Sequence, residues 1–485
     1  MNTKLLKQKI LDLAIRGKLS QQLKSDGTAA DLLKEICDRT QEKTSLRAKR
    51  GNPSPQTIIP LDKNEVPFEI PANWEWVRLG DVGALKGGKR VPAGKTMTTE
   101  PTSHIYIRIT DMREGTIYDD DLHYVTDEIY EVIKNYTISK NDLYITIAGT
   151  IGRVGLVPDL FDGMNLTENA LKITNVIPDK KYLMYALQSG FVQDYFESTY
   201  HQVAMPKLSL TNASKALLPL PPLAEQQRIV AKIEEAFAEI DAIEKNKELL
   251  KTHIKQTRQK ILDLAIHGKL VPQNKSDEPA SVLLERITRD NPHYEKLTDV
   301  PFEIPESWEW VKLGDVCKPI KRGKSPKYIE QSNILVFAQK CNQKDGPVSL
   351  EKALYLDEST LNKYPKEEFL QKGDVIINST GTGTLGRVGH FNVDLPQGIK
   401  GIVPDSHVTT IRSSVVNSNY LYSYLKNKQS YLEKNGEGST NQKELKPHTI
   451  YDLEFPLPPL AEQKRIVNKI DEIFASLDEI SLHLV

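Results

Sequence analysis

The sequence predicts a mixed α/β (α+β) protein in which two similar globular domains are separated by two long antiparallel coiled-coil helices, with a pseudo-two-fold, circular repeat. Three observations predict this fold: two motifs occur twice, a third recurs in a circularly shifted position, and a heptad pattern runs through the middle of the chain. With 485 residues, the chain also exceeds what one hydrophobic core usually serves.

Two repeated motifs bracket the globular domains. The segment VPFEIPANWEWVRLGDV at 66–82 returns as VPFEIPESWEWVKLGDV at 300–316, an offset of 234 residues. The segment PLPPLAEQQRIVAKI starting at Pro219 returns as PLPPLAEQKRIVNKI starting at Pro456, an offset of 237 residues. Inside these brackets, GTIGRVG from Gly149 matches GTLGRVG from Gly383. Each repeat is therefore about 155 residues long, the size of one domain.

The third motif makes the repeat circular. KILDLAIRGKL at 9–19 returns as KILDLAIHGKL at 260–270, an offset of 251 residues. In the middle of the chain this motif follows the PLPPLAEQ segment directly, whereas at the ends the same connecting segment is cut in two. This arrangement predicts termini that are close in space and an approximate two-fold axis.

The connecting segments are predicted to be helical. Pro221 and Pro222 precede the central one and Gly268 ends it, which gives about 44 residues and a rod of roughly 66 Å. The split copy has the same apolar pattern, so we expect the two rods to pair, antiparallel because of the inferred two-fold axis. The central seam, with alternating steps of four and three, is Ile229, Ile233, Ala236, Ile240, Ile243, Lys247, Leu250, Ile254, Thr257, Ile261 and Leu264.

Each globular domain is predicted to combine strands with helices. Apolar residues at helical spacing predict helices at 180–196 and 417–432. The charge-rich, proline-containing stretches 34–64 and 273–299 are expected to be connecting segments. Runs of β-branched and aromatic residues predict strands at 104–110, 142–148, 333–339 and 374–380.

Composition excludes several classes of protein. The chain is 39% hydrophobic and 27% charged and has no run of about 20 uncharged apolar residues, so we expect a folded cytoplasmic protein. Cys37, Cys317 and Cys341 are too few and too scattered for a disulfide framework or a zinc site, and the ten histidines fall singly. A formal net charge of −1 means that any basic surface must be local.

The sequence lacks the common signatures of catalysis. It contains no GxxxxGK[ST] phosphate loop, no HExxH and no GxSxG motif, so we expect no catalytic residue, metal ligand or cofactor. The run from Asn291 to Tyr294 is similar to the Asn-Pro-Pro-Tyr box of amino-methyltransferases. However, His293 replaces the second proline, and the first repeat has no counterpart.

The repeated motifs PLPPLAEQxRIVxKI, KILDLAIxGKL, EIPxxWEWVxLGDV and GRVG together resemble HsdS, the specificity subunit of type I restriction-modification systems, over nearly the whole chain. The resemblance implies two target recognition domains, each reading one half of a bipartite asymmetric DNA target, and two conserved helical regions that set the spacer. It also implies a subunit without catalytic site or cofactor. Its partners would be double-stranded DNA, two methyltransferase (HsdM) subunits and, in the full complex, restriction and translocation (HsdR) subunits.

With this resemblance, the chain is expected to divide into seven segments. The expected domains are 1–20 (N-terminal part of the distal helical region), 21–65 (linker), 66–222 (target recognition domain 1), 223–270 (central helical region), 271–299 (linker), 300–459 (target recognition domain 2) and 460–485 (C-terminal helical region).

A two-fold protein-interaction scaffold without DNA binding is the alternative. The near-zero net charge favours it, but it does not explain why the two repeats match in framework and diverge in loops. Salt-dependent retention of DNA would separate the two hypotheses. A self-sufficient nuclease-methyltransferase is the third hypothesis, and the missing catalytic motifs argue against it.

Candidate DNA contacts lie in loops where basic, polar and small residues cluster. By the 237-residue offset, Gln202 corresponds to Ser439, whereas Leu208 and Leu445 agree, as expected if only the reading positions differ. The candidates in the first domain are Lys86, Lys89, Arg90, Lys95, Gln202 and Lys207. The candidates in the second domain are Lys321, Arg322, Lys324, Lys327, Ser439, Asn441, Gln442 and Lys443.

Two further candidates, Arg153 and Arg387, stand in the same GRVG context in both repeats. A residue that is identical in two domains reading different bases is expected to be structural or phosphate-binding rather than base-specific. The tryptophans of the two WEWV motifs are expected to pack in the core or between domain and helix.

Overall fold

The computed structural model describes residues 2–34, 61, 65–200, 206–289, 294–344, 347–381, 383–438 and 443–484. The chain divides into two compact units, Met1–Asn246 and Lys247–Val485, called unit 1 and unit 2 below. The two units contain equivalent copies of the repeated motifs.

Unit 1 contains a four-stranded antiparallel sheet in the order β2-β9-β6-β7 and smaller strand pairs. Its strands are β1 (Glu75–Arg78), β2 (Ala84–Gly87), β3 (Tyr106–Ile107), β4 (Met112–Arg113), β5 (Thr116–Ile117), β6 (Leu143–Thr146), β7 (Val154–Leu156), β8 (Asn165–Leu166), β9 (Ala170–Thr174) and β10 (Leu217–Leu220). Its helices are α1 (Thr3–Ile15), α2 (Leu79–Val82), α3 (Asp127–Ile133), α4 (Lys180–Gln188), α5 (Gly190–Tyr200) and α6 (Leu210–Ser214).

The helix α7 (Leu223–Ile266) begins in unit 1 and continues into unit 2. Unit 2 repeats the four-stranded sheet as β12-β19-β16-β17 and adds a second sheet, β13-β15-β14-β18. Its strands are β11 (Glu309–Lys312), β12 (Ile320–Arg322), β13 (Tyr328–Ile329), β14 (Ile334–Phe337), β15 (Leu354–Leu356), β16 (Asp374–Asn378), β17 (Val388–Phe391), β18 (Gly401–Pro404), β19 (Val408–Ile411) and β20 (Glu454–Leu457). Its further helices are α8 (Ala280–Thr288), α9 (Leu313–Val316), α10 (Ser418–Asn427), α11 (Gln429–Lys434), α12 (Pro447–Tyr451) and α13 (Leu460–Leu482).

The long helix α7 confirms the length predicted from its flanking prolines and glycine, because it spans 44 residues. Ile229, Ile233 and Ile254 of the seam are buried, but Ile243 is 50% exposed and Leu250 is 39% exposed. The predicted seam is therefore packed near the two ends of the helix and open to solvent around its middle.

The helices α7 and α13 both begin with the sequence LAEQ, and the glutamate of this sequence is a buried carboxylate in each. In unit 1 the Glu225 side chain is fully buried and accepts hydrogen bonds at 2.9 Å from the indole nitrogen of Trp74, the Ser20 hydroxyl and the Gln22 amide. Trp74 comes from the WEWV motif, and Ser20 and Gln22 follow the first KILDLAI motif. One carboxylate thus joins all three repeated motifs of the unit.

Unit 2 builds the same junction from the equivalent residues. Glu462 is fully buried and accepts from the Trp308 indole at 2.9 Å and from the Gln273 amide at 2.6 Å. Burial raises the pKa of the Glu462 carboxyl, although both donors oppose this by stabilising the charged form. The WEWV tryptophans are therefore packing residues, as the sequence predicted.

The residues next to these glutamates strengthen the junction. Gln226 accepts from the Asp179 backbone N–H at 2.7 Å, and Gln463 accepts from the Asn417 backbone N–H at 2.8 Å. Each interaction holds the N-terminus of a helix of the globular domain, α4 or α10, against the start of the connecting helix. The interaction fixes the orientation of the domain on its helix.

Two shorter helices, α1 and α13, form equivalent ion pairs with α7. In unit 1, Lys7 of α1 pairs with Asp241, and in unit 2, Arg258 pairs with Asp478 of α13 at 2.6 Å. Lys7 also lies 5.4 Å from the Phe237 ring centroid, as Arg258 lies 4.6 Å from that of Phe474. Within each unit the two helices run antiparallel, which confirms the predicted orientation.

One predicted connecting segment is more ordered than expected. The stretch 273–299 contains helix α8, whose Ala280, Leu283 and Leu284 are buried. These small and apolar residues lie among charged ones, and the polar composition hid their helical spacing. Among the described residues, no helix is both long enough and apolar enough to cross a membrane.

The buried carboxylates yield the first prediction. Replacing Glu225 or Glu462 with alanine leaves a buried indole N–H without its acceptor, so we expect a loss of about 1–3 kcal/mol of stability in the unit concerned. Hydrogen exchange over 66–82 and 300–316 checks this, because protection should fall only in the unit that carries the change.

The exposed Glu239 and Glu479 lie on the same helices and provide matched alanine controls. Equal loss of protection from the control and junction variants would contradict the role of the buried carboxylates.

Candidate nucleic-acid interface

Most of the sequence-predicted basic residues of unit 1 meet at one end of the four-stranded sheet. Because β9 runs antiparallel to both β2 and β6, the end of β2, the start of β9, the end of β6 and the start of β7 share one edge. Lys86, Lys89 and Arg90 lie at and after the end of β2, and Arg153 precedes β7. We call this region, and its equivalent in unit 2, the basic sheet end.

A third segment reaches the same place. Lys207 forms a β-bridge with Ala148, and the Leu208 backbone N–H donates to the Ile147 carbonyl at 2.9 Å. Leu208 is fully buried, so it anchors this segment. The structure thus brings Lys207 to the basic sheet end, whereas Gln202 lies outside the described residues.

Unit 2 forms its basic sheet end in the same way. Arg322 and Lys324 lie at and after the end of β12, and Arg387 precedes β17. The backbone N–H of the buried Leu445 donates to the Ser379 carbonyl at 2.8 Å, which brings Lys443 to the end of β16. Ser439, Asn441 and Gln442 of this loop lie outside the described residues.

A glycine holds each basic segment against the neighbouring turn. A Cβ atom on Gly88 would lie 2.1 Å from the Thr167 carbonyl oxygen, and one on Gly323 would lie 2.3 Å from that of Asp405. Only glycine allows this close approach of two backbones. The backbone therefore approaches the neighbouring turn in the same way in both units, at Gly88 of the segment GGKR (87–90) and at Gly323 of the segment KRGK (321–324). The side chains around the two glycines differ.

In unit 1 two of the predicted contacts are ion-paired inside the unit. Arg90 pairs with Glu168 at 2.6 Å, and Lys95 pairs with Glu128 at 2.7 Å, away from the sheet end and at the start of α3. The Lys89 ammonium lies 5.6 Å from the Tyr136 ring centroid. The positive charge of this surface is thus partly compensated by neighbouring carboxylates.

Compensation is more extensive in unit 2. Lys321 and Lys324 both pair with Glu368, and Arg322 pairs with Glu444. Burial alone would raise the pKa of Glu368, but the two lysines hold it below its ordinary value. No local sequence pattern connects these carboxylates to their basic partners, which are 44 or more residues away.

Lys327 lies farther along the chain, against a different carboxylate. Its ammonium pairs with Asp357 at 2.8 Å, and this hydrogen bond, together with those from Ser359, lowers the Asp357 pKa to about 2. Asp357 therefore stays charged under all ordinary conditions, and Lys327 is held beside the second sheet of unit 2.

Arg153 and Arg387 have equivalent intramolecular contacts. Arg153 donates to the Met112 carbonyl at 3.0 Å, and Arg387 donates to the carbonyls of Asn342 at 2.8 Å and Gly383 at 3.1 Å. Both guanidinium groups thus tie the glycine-rich turn before β7 or β17 to the body of the domain. These contacts favour the structural interpretation of the two arginines over base reading.

Comparison with known proteins identifies the family. A family model described as "Type I restriction modification DNA specificity domain" matches residues 71–252 and 305–482. The chain belongs to this family. It is a specificity subunit of a type I restriction-modification system, as the repeated motifs predicted. The two matched segments correspond to the two repeats of the sequence.

Individual specificity subunits support the assignment over the full length of the chain. The type I restriction enzyme EcoAI specificity subunit of Escherichia coli is 24% identical over 554 residues, covering 98% of this chain and 90% of the relative. The HsdS crystal structure from Thermoanaerobacter tengcongensis matches with a TM-score of 0.53 and 21% identity, covering 87% of this chain and 94% of that one. A chain from a structural study of complex assembly and conformational transition of the type I R-M system matches with a TM-score of 0.56 and 22% identity, covering 86% and 94%.

The basic sheet ends yield the second prediction. Replacing Lys89 and Arg90, or Lys321 and Arg322, with alanine should weaken DNA binding and lower the salt slope by roughly one per lost phosphate contact. The carboxylates of Glu168, Glu368 and Glu444 remain and add repulsion. Retention of duplex DNA by the assembled complex, measured across a salt series, checks this.

Lys134→Ala provides the control, because Lys134 is exposed and pairs with Glu131 on α3, outside the candidate set. An unchanged salt slope in both double variants would show that DNA does not contact these four residues.

Proposed function

We propose that each unit of this specificity subunit reads one half of a bipartite, asymmetric DNA target through its basic sheet end. The observation that carries this proposal is a common framework with different side chains. Counted from the equivalent Gly88 and Gly323, Arg90 corresponds to Ser325 and Gly87 to Arg322. Two recognition surfaces that share a backbone framework but carry different side chains suit two different half-sites.

The proposal extends to partners and location. We propose that the subunit assembles with two methyltransferase (HsdM) subunits and, in the full complex, with HsdR subunits, and that it acts on double-stranded DNA in the cytoplasm. The connecting helices would dock the methyltransferase subunits and set the spacer between half-sites. The 44-residue helix α7 supports the second role, because a continuous helix resists bending far more than a loop.

Exchange of one recognition domain provides the third prediction. Replacing residues 66–222 with the corresponding domain of a relative should change one half of the target and leave the other half and the spacer unchanged. The domain taken from the relative must have a tryptophan at the position of Trp74. Glu225 lies outside the exchanged segment and accepts a hydrogen bond from that indole N–H. Mapping methylated adenines across a genome, with the reconstituted complex, gives the target.

Exchange of residues 300–459 is the reciprocal experiment and should change only the other half. Altered bases in both halves after a single exchange would contradict independent reading.

Helix length provides the fourth prediction. Inserting four residues after Lys247 adds about 6 Å of rise, close to two base pairs of DNA. Lys247 interrupts the seam between the exposed Ile243 and Leu250, so a four-residue stutter is best tolerated there. We expect unchanged half-sites, a spacer lengthened by one or two base pairs, and reduced activity.

Methylation mapping of the insertion variant checks this, with circular dichroism to establish that the helix persists. Full activity on the original spacing would show that the helices do not set the spacer.

A further inference from the structure

Unit 2 contains a groove that links its basic sheet end to the long helix. One wall is formed by the second half of α7 and by α13, and the other by the turn between β16 and β17 together with α10 and α11. Arg387 and Lys443 of the basic sheet end line the groove, and so do Lys251, Lys255 and Arg258 of α7. The predicted DNA contacts are thus continuous with a stripe of the connecting helix.

The three helix residues lie on one face of α7. Their spacing of four and then three residues keeps their side chains within a narrow arc. About 6 Å of helix axis separates Lys251 from Lys255, close to the rise of two base pairs of DNA. The stripe therefore matches the spacing of phosphates in a DNA backbone.

Two members of this stripe are available to an anion. Arg258 is held by Asp478 and lies over the Phe474 ring. Lys251 is exposed, and among the described residues its ion pair is with Glu248, one turn earlier on the same helix. Lys255 is exposed, and no carboxylate in the described part of the chain pairs with it. Exposed i,i+3 pairs contribute little stability, so a phosphate can displace Glu248 at small cost.

The sign of the charge changes along the helix. Residues 223–246 contain three basic and six acidic residues, whereas residues 247–266 contain five basic and two acidic residues. Positive charge on α7 is thus concentrated in the part that belongs to unit 2 and lines the groove. A uniformly solvated coiled-coil surface requires no such separation.

We propose that Lys251 and Lys255 contact phosphates of the target DNA beside the half-site read by unit 2, on its spacer side. The inference rests on the proposed function, since it places DNA at the basic sheet end of unit 2. Lysines act as point charges toward phosphate, so this contact adds affinity without reading bases. It makes the connecting helix a part of the DNA-binding surface.

The test uses the assembled complex with the variant Lys251→Ala/Lys255→Ala. Two lost contacts should lower the salt slope by about two, so the loss of affinity between 50 and 200 mM salt becomes about tenfold smaller than in the wild type. The lower salt slope should be seen with a duplex that extends into the spacer. It should be absent with a duplex that ends at the inner edge of the half-site. The methylated target should keep its bases and spacing.

Two variants serve as controls. Lys260→Ala removes a lysine of the same helix that pairs with Asp263 and does not line the groove, so its slope should equal that of the wild type. Lys251→Arg/Lys255→Arg keeps both charges and should keep the slope. Circular dichroism on each variant verifies that the helix is intact.

Three outcomes would overturn the inference. An unchanged slope in the double alanine variant, or an equal loss on both duplexes, would remove the helix from the DNA surface. Weaker assembly with methyltransferase subunits at an unchanged slope would make the stripe a protein contact instead. Failure of the wild-type complex to retain the DNA would contradict the proposed function itself, which distinguishes the two cases.

Discussion

The structure of each unit depends on one buried carboxylate, Glu225 or Glu462. Each accepts the indole hydrogen of a WEWV tryptophan and side-chain donors from the segment after a KILDLAI helix. A buried carboxylate is costly unless its acceptor sites are occupied, so each junction requires all three motifs at once. This requirement explains why the motifs occur together in both halves of the chain.

The junction also positions the recognition surface. Gln226 and Gln463, next to the two glutamates, hold the N-termini of α4 and α10, and these helices pack against the four-stranded sheets. The basic sheet end is therefore oriented relative to the connecting helix by these part-buried hydrogen bonds and by the packing of α4 and α10. A reader fixed in this way can vary its exposed side chains without losing its position.

Charge compensation reconciles a net charge of −1 with DNA binding. Arg90, Lys321, Arg322 and Lys324 are all paired with carboxylates of their own unit. At the proposed interface, an approaching phosphate would exchange with these carboxylates, so DNA binding would lose part of the Coulomb gain while the basic side chains keep their local geometry. Such a surface penalises DNA that does not offer good base contacts, because bare phosphate attraction is weakened.

The sequence by itself determined the repeat, the length and antiparallel pairing of the helices, the packing role of the tryptophans and the family. Local spacing and repeated motifs are sufficient to specify each of these features. Only the tertiary structure revealed that Glu225 and Glu462 join the motifs, that several of the predicted contacts meet at one sheet end in each unit, and that Glu168, Glu368 and Glu444 pair with some of them. It also showed that α8 forms inside a segment predicted to be a linker, and that the middle of the heptad seam is exposed. The physical reason is the same in each case: burial and ion pairing depend on residues distant in sequence, whose partners no local pattern specifies.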